Sequence, residues 1–316
     1  MLAADAGATV DLESGDAIIR NLGATQAVTL RGLHGFVTGW QLEANAGTVW
    51  FEDCFLEFGG AFEPGTISAV DCANVVVTRC TILGLSAIPF LGIDFPAAAV
   101  TVDGCRLTLL ESTLVGGSGD LSMTTEDVPG AEAVELIDSE LFLGGSELSG
   151  GPGDTDPGGA ALLVSGDSQA WLLDSVLGGG VGTPPGAPVV VSGHGAVTTL
   201  PGAEFSFEID SPRRVGEPIS LALQGPPGHS AWLLKSLLPG GLIKPGWSGV
   251  LLVEPASFVL TALGTIPPSG TLSFTGTVPS IAGLEALPLF VQGLSVASGS
   301  VALASGSHLL LLAPGL

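Results

Sequence analysis

The stretch Val49-Trp-Phe-Glu-Asp-Cys-Phe-Leu-Glu-Phe-Gly-Gly60 returns four times in altered form. The later copies are Val75-Val-Val-Thr-Arg-Cys-Thr-Ile-Leu-Gly84, Leu107-Thr-Leu-Leu-Glu-Ser-Thr-Leu-Val-Gly-Gly117, Leu141-Phe-Leu-Gly-Gly-Ser-Glu-Leu-Ser-Gly-Gly151 and Ala170-Trp-Leu-Leu-Asp-Ser-Val-Leu-Gly-Gly179, and successive starts are 26, 32, 34 and 29 residues apart. In each block the first, third and eighth positions are apolar, the sixth is Cys or Ser, and small residues usually close it. A second series runs seven or eight residues upstream of most blocks: Ile67-Ser-Ala69, Val100-Thr-Val102, Val134-Glu-Leu136, Leu162-Leu-Val164 and finally Val189-Val-Val191. Period-2 alternation places the apolar positions on one face, and a repeat of about 30 residues presents that face once per turn. The pattern predicts a right-handed parallel β-helix over residues 1–202. Each coil contributes two or three strands, small residues turn the corners, and ladders such as Phe51/Val77/Leu109/Leu143/Leu172 fill the interior.

Composition agrees. The 316 residues include 48 Gly and 22 Pro, no Tyr and few Lys, which disfavours helices. Asp and Glu number 31 against 8 Lys and Arg, a net charge of −23, while 46% of residues are apolar and mean hydropathy is +0.57. That is too hydrophobic for a disordered acidic tail and too poor in cations to bind nucleic acid or an anionic membrane surface. No uninterrupted apolar run of about 18 residues is present, so no membrane insertion is expected. Met1-Leu-Ala-Ala-Asp5 lacks the regions of a signal peptide, so any export signal is expected upstream. Beyond residue 202 short candidate strands alternate with Pro- and Gly-rich turns, from Phe205-Ser-Phe-Glu-Ile209 through Leu289-Phe-Val-Gln292 to His308-Leu-Leu-Leu-Leu312. This predicts an all-β chain in which a small antiparallel β-sandwich domain, 203–316, follows the solenoid. The acidity belongs to the solenoid: residues 1–200 hold 25 acids and 4 Arg, a net of −21, and residues 201–316 hold 6 acids and 4 bases, a net of −2.

The paired short strands ending in Asp-Cys, Arg-Cys or Glu-Ser and then Gly-Gly resemble the β-helix repeats of the pectate-lyase-like superfamily, especially those of large secreted bacterial proteins. The resemblance covers roughly residues 20–200 and implies a secreted or cell-surface location. It implies no single activity, because that fold carries lyases, hydrolases, epimerases, adhesins and spacers. Lyases of the superfamily use carboxylates to hold Ca²⁺, with an Arg or Lys as base; the solenoid offers only Arg20, Arg31, Arg79 and Arg106. Arg79 takes the fifth block position between Asp53 and Glu111 and reads as part of an exposed charge ladder. Arg106 reads as solvated or paired with Asp103 or Asp138. Gly193-His194-Gly195 matches one hydrolase element by letter, without the accompanying Asn-Thr-Asp or basic tripeptide, and reads as a turn.

Cys54 and Cys80 occupy the sixth position of consecutive blocks, and Cys72 and Cys105 occupy equivalent turns. Each pair is expected one coil apart, about 5 Å between Cα atoms, which suits either two disulfides or a buried thiol ladder. The insertions after the Gly-Gly corners, 61–66, 85–97, 118–131, 152–159 and 180–187, are expected along one edge. They carry Asp94, Asp120, Glu126, Asp127, Asp154 and Asp156. In Gly153-Asp-Thr-Asp-Pro-Gly158 the Asp154 and Asp156 carboxylates are candidate Ca²⁺ ligands. The reading favours a non-catalytic protein with a structural, adhesion or glycan-contacting role, partnered by polysaccharide or cell-surface components. The alternative is a polysaccharide lyase or glycoside hydrolase with its site on the loop edge.

Overall fold

The computed structural model describes residues 9–11, 17–37, 39–58, 65–87, 95–119, 128–153, 155–244, 246–280 and 285–314. These contain strands and no helix, and no helix therefore is long and apolar enough to cross a membrane. The chain forms two compact units, Met1–Leu200 and Pro201–Leu316.

The first unit is a parallel β-helix of three sheets. Sheet 1 stacks Ala17–Arg20, Trp40–Glu43, Gly65–Val70, Ala98–Asp103, Val134–Ile137, Leu162–Ser165 and Val189–Val191; sheet 2 stacks seven strands from Ala27–Arg31 to Ala196–Leu200; sheet 3 stacks six from His34–Val37 to Val176–Gly178. Thr9–Asp11 pairs antiparallel with Ala17–Arg20 and occupies the edge of sheet 1. Each repeat block is two strands, one in sheet 2 and one in sheet 3. The corner between them explains why apolar positions pass from odd to even within the block. The corner residue is the fifth: Asp53, Arg79, Glu111 and Asp174 all have φ between 48° and 54°, with Gly145 at the same place. The corner is thus a left-handed residue inside the block, and the closing Gly-Gly has a different task.

The interior ladder Phe51/Val77/Leu109/Leu143/Leu172 forms in register. Each such side chain withdrawn from water contributes about 1.5–3 kcal/mol. The outward positions Trp50, Val76, Thr108 and Phe142 are buried as well, so the middle of sheet 2 is covered on both faces, while Trp171 and Thr198 at its far end are not fully covered, which accounts for the nearly continuous apolar runs of the middle coils.

Immediately after each left-handed corner comes a polar column. The Cys54 N–H donates to Cys80 Sγ (3.4 Å), Cys80 N–H to Ser112 Oγ (3.1 Å), and Ser112 N–H to Ser146 Oγ (3.1 Å). Each of these side chains in turn donates to the carbonyl two residues earlier, as Cys80 Sγ does to Thr78 (3.3 Å) and Ser112 Oγ to Leu110 (2.8 Å). Cys72, Cys105, Ser139 and Ser168 form the matching column between sheets 1 and 2. The four cysteines are free buried thiols here rather than the disulfides considered from spacing. Their sulfurs are engaged along the column, doing what serine does in later coils.

Among the described residues the fourth side of the solenoid has no strands. Chain leaves sheet 3 through Gly84, Gly116-Gly117, Gly150-Gly151 and Gly179-Gly180, and returns to sheet 1 through arms at 95–97, 128–133, 157–161 and 186–188. The backbones of outgoing and returning arms hydrogen-bond alternately: Ala97 N–H to Leu85, Gly117 to Ala97, Ala131 to Gly117, Gly151 to Ala131, Gly159 to Gly151 and Gly180 to Gly159, all 2.7–3.1 Å. Flanking residues bond to the same arm of the next coil, as Gly119 does to Pro152 and Gly130 to Pro157. The arms approach so closely that a Cβ on Gly151 would stand inside van der Waals contact of the Gly117 carbonyl oxygen. This close packing, rather than corner turning, is why glycine closes the blocks.

The second unit packs a three-stranded antiparallel sheet (Phe207–Ile209, Pro218–Gln224, Thr271–Thr277) against a six-stranded sheet built on the long hairpin Ala286–Ala297/Ser300–Leu312. Their shared core includes Phe207, Leu223, Leu233, Val291 and Leu309. Val301-Ala-Leu303 and His308–Leu312 read as separate strands in sequence, but Ala304-Ser-Gly-Ser307 continues the strand: Ser305 and Ser307 are fully buried, and Ser305 Oγ accepts the Phe207 N–H at 2.9 Å. Gln292, also fully buried, donates to Val250 and Ala304 carbonyls and accepts from Leu252 N–H.

Two stability outcomes follow from the columns and arms. Gly151→Ala should cost about 3 kcal/mol in chemical denaturation, because the Cβ would run into the backbone of Gly116 and Gly117, which cannot give way, whereas Gly178→Ala, whose Cβ would meet only Ser149 Oγ at 4.0 Å, should cost under about 1 kcal/mol. Cys80→Ser should change stability by less than about 1 kcal/mol, and a thiol reagent should find no fast-reacting cysteine in the native protein and four after unfolding.

Candidate functional site

Two charged or concave features stand on the solenoid. The first joins three coils. Strand pairing sets Arg31 beside Glu52 and Glu52 beside Thr78, so Arg31 lies one coil before Glu52 and Arg79 one coil after it. Asp53 bonds Arg79 Nε at 2.7 Å and Arg31 Nη2 at 2.8 Å. The Glu52 side chain, with 0% exposure, is paired with Arg79 Nη2 and lies 3.9 Å from Arg31 Nη1. Of the residues assigned to a ladder from sequence, Asp53 and Arg79 are in direct contact, and Glu111 follows one coil further on. Sequence reasoning missed Glu52 and Arg31. Their signal was the strand register, which stacks the fourth block position of one coil over the residue preceding Gly32.

The electrostatics of this cluster are those of a closed ion-pair set. Burial would lower the Arg79 pKa, but Glu52, Asp53 and Glu111 together raise it above the ordinary arginine value. Burial likewise works against Asp53 ionisation, and the hydrogen bonds and charges of Arg79 and Arg31 overcome it, holding the carboxyl below its usual range. An arginine acting as base needs the opposite displacement. Arg106, read from sequence as solvated or paired with Asp103 or Asp138, pairs with Glu140 at 2.8 Å, because strand register sets the two side chains opposite each other. His194 is a turn residue, 92% exposed, after the left-handed Gly193, with Nδ1 3.2 Å from Asp167.

The second feature is a groove of about 400 Å³ along the returning arms, lined by Phe95, Pro129, Glu132, Pro157, Ala160 and Val190 among others. The glycine arms place it: with no Cβ between them, the returning segments form a shallow floor, and proline and Phe95 supply its walls. Phe95 is 74% exposed. Val190 also ends the outward row of sheet 1, which runs Gln41, Ser68, Thr101, Glu135, Leu163, Val190 in register. The groove therefore meets that row at its apolar end, Val190 and Leu163, with Glu135 one coil before Leu163. Burial, and then the charge of Glu132, raise the Glu135 pKa.

Of the loop acids, Asp94, Asp120, Glu126, Asp127 and Asp154 lie outside the described residues. Asp156 Oδ2 accepts the Val128 N–H at 3.0 Å, tying one arm to the preceding one. Among the described residues no group of three or more His, Cys, Asp or Glu is placed to hold a metal.

No protein-family model matches the chain, and no curated protein matches it in sequence. Among solved structures it is similar to the enzymatically active domain of bacteriophage CBA120 tailspike protein 2, with 10% identity and a TM-score of 0.32 over 85% of this chain and 53% of that one. The chain thus spans about half the length of that domain. So loose a superposition adds nothing to the fold, which rests on the three stacked sheets.

Replacing Arg79 by Met should destabilise the protein by about 3 kcal/mol near neutral pH, because Glu52 then keeps a buried charge with a weaker partner. The deficit should narrow on acidification. Since the folded pKa of Asp53 is depressed, its contribution is present above the ordinary value of 3.8 and lost as pH falls through the folded value. Denaturation of both proteins across that range checks the sign.

Proposed function

We propose that the solenoid is a glycan-contacting surface element without catalytic activity, and that the groove of the returning arms is its contact surface. One observation carries this reading. An exposed aromatic ring, Phe95, lines a groove with a glycine and proline floor, and the Glu132 carboxylate lines the same groove. Sugar rings offer apolar faces to an aromatic ring and hydroxyls to a carboxylate, so Phe95 and Glu132 suit the two kinds of surface a carbohydrate presents. The ion-pair cluster supports the non-catalytic half of the proposal, because its groups are committed to one another. The fold's use at secreted or cell-surface locations, and the acidity of the solenoid, are consistent with such a role.

The rival reading has its own observation. Glu132 and Glu135 stand near one another beside the groove, and the raised pKa of Glu135 suits a general acid in glycoside hydrolysis.

A panel of neutral and acidic polysaccharides separates the two. Binding should be measured by affinity electrophoresis, and cleavage by reducing ends and unsaturated products, with and without Ca²⁺ because of the paired acids Asp154 and Asp156. The expected outcome is retardation by at least one neutral polysaccharide without cleavage, weakened about tenfold by Phe95→Ala, the loss of an anchor contributing roughly 1.4 kcal/mol. Cleavage that disappears in Glu135→Gln would establish the rival.

A further inference from the structure

The second unit carries a surface of another kind. From Pro255 to Leu284 the sequence contains no charged residue. That segment holds two of the strands that end a sheet of the unit, Val259–Thr265 and Thr271–Thr277. Edge strands usually carry a charge, a proline or a bulge that discourages pairing with another chain. Val259–Thr265 has such a device, a register irregularity where it meets Ala231 and Trp232. Thr271–Thr277 has none. It pairs residue for residue with Pro218–Gln224, without interruption from Thr271↔Gln224 to Thr277↔Pro218, and among the described residues no strand pairs with its outer edge. The other end of the same sheet is occupied differently: Phe207 N–H donates to Ser305 Oγ, and Ser305 N–H to the Phe205 carbonyl.

We infer that Thr271–Thr277 is a self-association edge that pairs antiparallel with the same strand of a second copy of this chain. Three observations select a second copy as the occupant. The strand is self-complementary about its centre: with Phe274 on the twofold axis, Ser273 faces Thr275, and Leu272 faces Gly276, so small residues meet larger ones and the two Phe274 rings lie side by side. Phe274 is 38% exposed in a strand whose last five residues are all exposed. The charge distribution then chooses where two copies can meet. A chain of net −23 repels its own kind, and −21 of that lies on the solenoid, whereas the second unit carries −2 and this segment nothing. Pairing joins two three-stranded sheets into one of six strands and satisfies the outer backbone groups of both edges.

Sedimentation equilibrium of the full chain over the micromolar range should give a species of twice the 31.5 kDa chain mass, with association strengthened by added salt as repulsion between solenoids is screened. Ser273→Lys/Thr275→Lys sets like charges directly across the axis and should be monomeric, with a far-UV spectrum and melting profile unchanged in shape. Ser273→Glu/Thr275→Glu should be monomeric for the same reason, and mixing the two variants should restore the double-mass species. A monomeric wild type, a dimer that survives either substitution, or a mixture that stays monomeric would each overturn the inference.

Discussion

Backbone hydrogen bonds between successive coils hold every strand residue about 4.8 Å from its counterpart in the next coil. Everything else in the solenoid answers to that spacing. Apolar residues stacked this way form unbroken ladders, and polar residues form columns in which one side chain can serve the backbone of the next coil. Cys80 and Ser112 are interchangeable in this sense, since each accepts an N–H from the coil before it and donates to a carbonyl of its own turn. The same spacing makes a column of like charges costly. With 25 acids and 4 arginines in residues 1–200, the placement of arginine matters; Arg31 and Arg79 lie on either side of the buried Glu52 and its more exposed neighbour Asp53.

On the fourth side the spacing is kept without strands. Outgoing and returning arms interleave, each bonded to two kinds of neighbour, and the fit leaves no room for a side chain at Gly117, Gly151 or Gly159. The arrangement keeps the stack in register across coils whose connections differ in length. It also produces the groove, because a floor of glycine backbone between proline and phenylalanine walls is shallow and largely apolar. Structural requirement and candidate site therefore share the same residues.

Much of this was legible in the blocks themselves. The ladder from Phe51 to Leu172, the three-residue upstream strands and the one-coil separation of the cysteine pairs all follow from periodicity and repeat length. What was not legible has physical causes. The first coil, with His34-Gly-Phe in sheet 3, lacks the closing glycines and so escaped comparison. Glu52 looked like an outward strand residue, and its burial depends on what covers the outer face of sheet 2. Asp53, Arg79 and Glu111 share a left-handed φ that no side-chain pattern announces, because acids, arginine and glycine all occupy that corner. In the second unit, Ala304-Ser-Gly-Ser307 has turn composition and lies in a buried strand, where its small side chains let the two sheets approach.

The sequence by itself determined the parallel solenoid, its interior ladders and the concentration of negative charge upon it, because these depend only on which residue types recur at which interval. Tertiary structure alone decided that the arginines close on Glu52 and Asp53, that the glycine arms interlock into a groove beside Phe95, and that the uncharged strand Thr271–Thr277 ends its sheet with no further strand beside it among the described residues. Those outcomes depend on register, burial and the neighbours of an edge, which are properties of the assembled chain and not of any segment within it.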